Sequence, residues 1–355
     1  MSSIPSRRDL LRAAVALTSA NRLLAWQESS PDAKFSSDVK VVNVLANVHD
    51  KDNKVVSTLT KDDFSIDEDG RPQVIRYFAR QSDLPLTLGL LVDTSGSESR
   101  NIESEKRASY KFFDQVMREG TDKAFLIHFD REVELLQDIT SSKTQLDKGL
   151  DGLTGDQMTR RSQQGQGGGP GRGGGGTALY DSVLLASEEL MQKQQGRKAI
   201  VLFSDGEDNG SKVTLSRAIE SAQRADTLVY AVRFYDRNAG APIAPVFGGR
   251  GRRGGGFPGG GGGGGNGYPG GYPNASRKDG KAVMQQISSE TGGAYFEVSG
   301  GMTLDKIYAR IQDELRNQYS LGYTSDQTGA GYRRIKVTAK GKNLTVQARE
   351  GYYAQ

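Results

Sequence analysis

Apolar and polar positions follow two rhythms along the chain. Near both ends they alternate, as they do in strands with one buried face. Val39–Val48 is β-branched and roughly alternating, Asp50–Asn53 is a turn cluster, and Val55–Leu59 has the length of a short strand. Phe64–Gly70 followed by Pro72–Phe78 reads as a hairpin with Asp69 and Gly70 in its turn. Toward the other end come Tyr319–Tyr323, Tyr332–Ala339 and Leu344–Arg349, the last two joined by the hairpin signal Lys340–Asn343. Neither flank has enough strands to stand alone. Together they predict one small β-sandwich, its halves at residues 35–80 and 319–355, with the middle of the chain inserted between them. Compact domains tolerate such insertion because their termini often lie close together.

Between residues 84 and 316 the rhythm changes. Solid apolar runs of strand length alternate with segments whose apolar residues recur every three or four positions. The runs are Leu86–Asp93, Lys123–Asp130, Ala199–Phe203, Thr227–Phe234 and the short Ala294–Val298, with Glu132–Leu136 as an antiparallel edge. The helical segments are Ser104–Arg118, Thr144–Leu153, Ala178–Gln192, Thr214–Ala225, Ala282–Thr291 and Leu304–Arg316. This order predicts an α/β fold with a doubly wound, mostly parallel sheet.

One stretch concentrates the chemistry. The apolar run from Leu86 ends abruptly at Asp93, and Ser95 and Ser97 follow at two-residue spacing before helical character resumes. In an open α/β sheet that turn lies at the carboxyl edge of the strands, where ligands bind. Three oxygens converging there suit a hard divalent cation, which takes an all-oxygen shell completed by water.

Asp93-Thr-Ser-Gly-Ser97 resembles the D-x-S-x-S signature of von Willebrand factor type A (vWA) domains, which opens their metal-ion-dependent adhesion site. Gly176–Leu179 looks like the threonine loop of that family, and Ser204-Asp205-Gly206 like its aspartate loop. The three come in the family's order, and the resemblance covers about Leu84 to Arg316. The whole chain is similar to secreted vWA-related proteins common in acidobacteria. The resemblance implies direct cation binding by the hydroxyls of Ser95, Ser97 and Thr177. Asp93 and Asp205 would hold the cation's waters. It implies Mg²⁺ or Mn²⁺ as the cation and a Glu or Asp carboxylate of a protein partner in the open position. Glu98, Glu207 and Asp208 would form an acidic rim, while Asp130 and Asp181 read as structural.

The N-terminal segment changes the charge argument. Ser6–Arg12 resembles a twin-arginine export motif, and the moderately apolar Ala13–Ala20 follows, so residues 1–25 read as a cleavable signal. The expected location is the periplasm, cell envelope or exterior. Formal charge over all 355 residues is +4, but residues 1–25 carry four Arg and one Asp, which leaves the remainder near +1. Two Gly-rich inserts, 160–176 and 239–276, hold six further arginines, and their composition predicts disorder. A nucleic-acid-binding body is therefore not implied by the basic balance. No stretch after the signal is long and apolar enough to span a membrane.

Catalysis finds little footing in the sequence. The chain has no Cys, and its two His are His49, in a turn, and His128, within an apolar strand. No set of nucleophile, base and orienting group can be assembled from spacing, and Gly173–Thr177 lacks the Lys of a phosphate-binding loop. The expectation is a non-enzymatic binding module. Two alternatives stay open: a vWA scaffold subunit of an intracellular ATPase- or chelatase-like assembly, and RNA binding through Arg250–Gly256.

Overall fold

A computed structural model describes residues 41–80, 84–95, 101–153, 176–234 and 279–354. The signal-like segment, Ser97, Glu98 and both Gly-rich inserts except Gly176 lie outside the described residues.

The centre is a six-stranded sheet in the order β10-β9-β8-β5-β6-β7. Its strands are β5 (Leu86–Asp93), β6 (Lys123–Phe129), β7 (Val133–Thr140), β8 (Arg197–Phe203), β9 (Leu228–Phe234) and β10 (Tyr295–Val298). All neighbours pair in parallel except β7, which runs antiparallel to β6 at one edge. Every residue of β5 is buried, which is why its sequence is continuous rather than alternating. Two cores form on the two faces of the sheet. One packs Leu88, Leu90, Val92, Val201 and Tyr230 against α1 (Ile102–Val116), α2 (Lys143–Asp151) and α6 (Leu304–Arg316). The other packs Leu91, Ile127, Ile200 and Leu202 against α3 (Leu179–Leu185), α4 (Leu215–Arg224) and α5 (Gly280–Thr291). After Leu185 the third helix widens into a π turn over Ala186–Met191.

Two antiparallel sheets flank this centre, each built from both ends of the described chain. One has the order β13-β1-β11-β4, from β13 (Thr345–Ala348), β1 (Val41–His49), β11 (Tyr319–Thr324) and β4 (Ile75–Arg80). The other has the order β14-β12-β2-β3, from β14 (Gly351–Ala354), β12 (Gly331–Ala339), β2 (Phe64–Glu68) and β3 (Arg71–Gln73). Val44, Val48, Ile66, Tyr319, Leu321 and Ile335 fill the core between them. The buried carboxylate of Glu68 accepts hydrogen bonds from Tyr323, Ser325, Arg333 and Tyr352, tying β2 to segments near the C-terminus.

Three local expectations need correction. The hairpin at Asp69-Gly70 exists, with both residues at positive φ, but β3 ends at Gln73 and β4 leaves for the other sheet. Val74 marks the crossing and is 74% exposed between buried Gln73 and Ile75. Lys340–Asn343 likewise does not close a hairpin, because β12 pairs with β2 and β14 while β13 pairs with β1. Local turn chemistry was right in both places; inter-sheet packing decided the pairing. Val55–Leu59 forms only an isolated bridge, His49 to Val55.

The last helix of the central layer is tied to a flanking sheet through one buried carboxylate. Glu314 of α6 faces His49 Nε2 at 3.2 Å and accepts from Arg310 Nε and Gln347 Nε2, each at 3.2 Å. Arg310 also reaches Asn53 in the turn after β1, at 2.6 Å.

Candidate metal centre

Because β5 and β8 are parallel neighbours in register, their last residues finish side by side at the carboxyl edge. Asp93 is the final residue of β5 and is 1% exposed. Its Oδ1 accepts the backbone N–H of Ser95 at 2.9 Å, folding the chain sharply after the strand. Its Oδ2 accepts the hydroxyl of Ser204, the residue after β8, at 2.7 Å. The Asp93 carboxyl stands raised to about 6: burial pushes it up most, hydrogen bonds from Ser95 and Ser204 pull it back, and the charge of Asp205 adds a smaller upward push. The first described helix after it, α1, begins at Ile102, behind Asn101.

The Asp205 loop is held from three sides. Gly206 N donates to the Ser204 hydroxyl, Glu207 N donates to Asp205 Oδ1, and Arg233 Nε donates to the Asp205 carbonyl at 3.0 Å. Gly206 sits at φ +83°, and a Cβ there would lie 2.1 Å from the carbonyl oxygen of Gly280, the first residue of α5. Only glycine lets this loop turn left-handed while a helix start presses on it.

Thr177, 7% exposed, precedes α3 and is pinned to both neighbouring loops. Its carbonyl accepts from Asn209 N and Gly210 N, and the amide of Ala178 donates to the Asp130 carbonyl at 2.7 Å. The side chain of Asp208, read as rim from sequence, is drawn inward: its Oδ1 accepts from Ser211 Oγ and the Tyr180 amide, and burial pushes its carboxyl up. Asp181 accepts the amides of Lys212 and Val213, and Asp130 accepts the amide of Glu132; both carboxylates are spent on the loops. Glu207 lies in the Asp205 loop, half-buried.

The sequence missed two contributors. Ser204 is fully buried and joins Asp93 to the Asp205 loop across 111 residues of chain, a relation no local spacing shows. His128, expected as a core residue, bonds Thr94 Oγ1 through Nδ1 at 3.1 Å and faces Glu134 Oε2 through Nε2 at 3.2 Å. A hydroxyl, an imidazole and a carboxylate are thus in line, a grouping that spacing along the chain does not show. Yet Thr94 is 5% exposed and its hydroxyl also donates to the Phe129 carbonyl, so the group braces the Asp93 loop.

Among the described residues no cluster of three or more His, Cys, Asp or Glu could hold a metal. The side chains that the three motif loops carry, the carboxylates of Asp93 and Asp205 and the hydroxyls of Ser95 and Thr177, are all hard oxygens, the kind of donor that Mg²⁺ and Mn²⁺ take.

Residues 88–207 match the family model of the von Willebrand factor type A domain. No curated protein matches the chain. Among solved structures, the conserved hypothetical protein BatB from Bacteroides thetaiotaomicron is 19% identical, with 64% of this chain and 98% of that one covered at a TM-score of 0.43. A von Willebrand factor type A protein from Catenulispora acidiphila is 10% identical, with 81% and 72% covered at a TM-score of 0.45. Proximal thread matrix protein 1 from the mussel byssus, with a zinc-occupied MIDAS motif, is 13% identical, with 71% and 50% covered at a TM-score of 0.42. The chain spans about half the length of that mussel protein.

Proposed function

Taking residues 88–207 as a von Willebrand factor type A domain, we propose that the protein is an exported binding module. It would hold Mg²⁺ or Mn²⁺ at the Asp93 edge and capture a carboxylate of a protein partner. The observation that carries this reading is the bridge from Asp93 to Ser95 on one side and Ser204 on the other, which joins two motif loops around one buried carboxylate. Ser95, Ser97 and Thr177 would ligate the ion, with Asp93 and Asp205 behind its waters. When bound, the ion supplies an electrophilic position that an acidic side chain can fill.

Binding rather than catalysis is favoured by the state of Thr94, whose hydroxyl is buried and bonded to the backbone. Export is the reading of Ser6–Arg12 and the apolar segment behind it. No helix among the described residues is long and apolar enough to cross a membrane. The test is capture of an immobilised Glu-containing peptide with and without Mg²⁺, beside its Gln counterpart. Retention that needs both the metal and the carboxylate supports the reading; retention indifferent to either sinks it.

A further inference from the structure

The end of the central sheet opposite the Asp93 loop opens on a cleft of about 290 Å³, near the lower bound of small-molecule sites. It is lined by Lys198 at the start of β8, Gln195 just before it, Asp226 after α4, and Asn43 and Arg349 from the flanking sheet region. Arg197 lines it too, but its guanidinium is spent on the carbonyls of Leu84 and Leu315.

Arg349 and Lys198 are not spent in that way. Arg349 has a side chain 10% exposed, donates to Asp226 Oδ1 at 2.6 Å and to the Asn43 carbonyl at 2.7 Å, and lies 5.6 Å from the ring centre of Tyr352. Its Nε is buried without a hydrogen-bond partner among the described residues. Lys198 is half-buried and makes no hydrogen bond or ion pair among the described residues. Burial lowers the pKa of its ammonium, and only the field of Asp226 opposes that. The cleft thus brings together a partly desolvated cation and an unanswered N–H donor, with Asp226 already committed to Arg349. Leaving the Lys198 ammonium partly desolvated and unanswered is costly, and a small anion in the cleft answers it beside the Arg349 guanidinium.

We propose that this cleft binds a small oxyanion, a carboxylate or a phosphate group, with Lys198 and Arg349 as its charged contacts. The site is separate from the Asp93 edge and does not depend on the metal reading. Charge-assisted hydrogen bonds from Lys and Arg hold the anion, and the single carboxylate in the lining leaves the cleft net positive.

The test uses the full chain, stripped of divalent metal on a chelating resin so that the Asp93 edge cannot contribute. Inorganic phosphate and succinate are titrated separately by calorimetry at an ionic strength fixed with chloride. At least one binds with Kd on the order of 1 mM or tighter, and Lys198→Met weakens it about tenfold without moving the melting temperature. Arg349→Lys, which keeps the charge and loses the Nε donor, weakens it as well. Binding of phosphate alone assigns a phosphate ligand, and of succinate alone a carboxylate. Failure of both to bind at about 10 mM, or equal binding by the wild type and Lys198→Met, overturns the proposal.

Discussion

The hydroxyl of Ser204 donates to Oδ2 of Asp93 at 2.7 Å, joining the ends of two neighbouring parallel strands. The same Ser204 oxygen accepts the amide of Gly206, so one buried side chain sets both the orientation of the Asp93 carboxylate and the turn that carries Asp205. Ser204→Ala removes both bonds and leaves a buried carboxylate oxygen short of a donor. The expected cost is about 1–3 kcal/mol of stability, measured by urea denaturation, with a parallel loss of metal affinity. A variant with unchanged stability and affinity would show that the bridge is incidental.

Asp93→Asn should separate stability from function. Burial raises the Asp93 carboxyl from the ordinary 3.8 to about 6, so the folded state holds this proton more tightly than the unfolded state does. Stability therefore falls as pH rises from about 4 to about 6, by up to about 3 kcal/mol for this group. Metal-free Asp93→Asn lacks that loss and is at least as stable as the wild type at pH 7, yet gains nothing from added Mg²⁺. Melting curves from pH 4 to 7, with and without metal, check both halves.

Gly206 and Gly280 form a contact that admits no side chain. A Cβ on Gly280 would lie 2.4 Å from the Asp205 carbonyl oxygen, and Gly206 has the reciprocal conflict together with its positive φ. Either Gly→Ala change should cost roughly 1–3 kcal/mol and abolish metal binding, while far-ultraviolet circular dichroism keeps its native shape. Undiminished metal affinity in both variants would show that the Asp205 loop does not need this geometry.

Glu314 is the buried carboxylate that fastens α6 to β1 and β13. Glu314→Ala strands His49, Arg310 and Gln347 without their acceptor, with an expected cost of about 3–5 kcal/mol. A double-mutant cycle with His49→Ala should show coupling, because the two side chains share one interaction. Strict additivity would place the strength of this junction elsewhere.

Much of the central layer was legible in sequence because parallel strands buried on both faces write themselves as solid apolar runs. Leu86–Asp93 and Lys198–Phe203 show this, and Leu304–Arg316 shows the helical counterpart, its observed bounds the same as those predicted. Legibility failed where the outcome depends on packing between sheets. Val74 lies in an ordinary strand pattern and Lys340–Asn343 carries an ordinary turn signal, yet the chain uses both to change sheets. At the candidate site the sequence motif supplied Asp93, Ser95, Thr177 and Asp205, while the links that orient them join residues far apart in the chain. Thr94 with His128 and Ser204 with Asp93 are such links, 34 and 111 residues apart. Asp208 shows the opposite failure: acidic and in the right loop, it is turned inward to hold Tyr180 and Ser211.

The measurement that bears most directly on the central claim is calorimetric titration of Mg²⁺ and Mn²⁺ into the wild type, Asp93→Ala and Thr177→Ala at pH 7. The wild type should bind at a single site per chain and neither variant should bind, with all three proteins folded before metal is added. Equal binding by the wild type and both variants, or no binding by the folded wild type at about 10 mM metal, would contradict it.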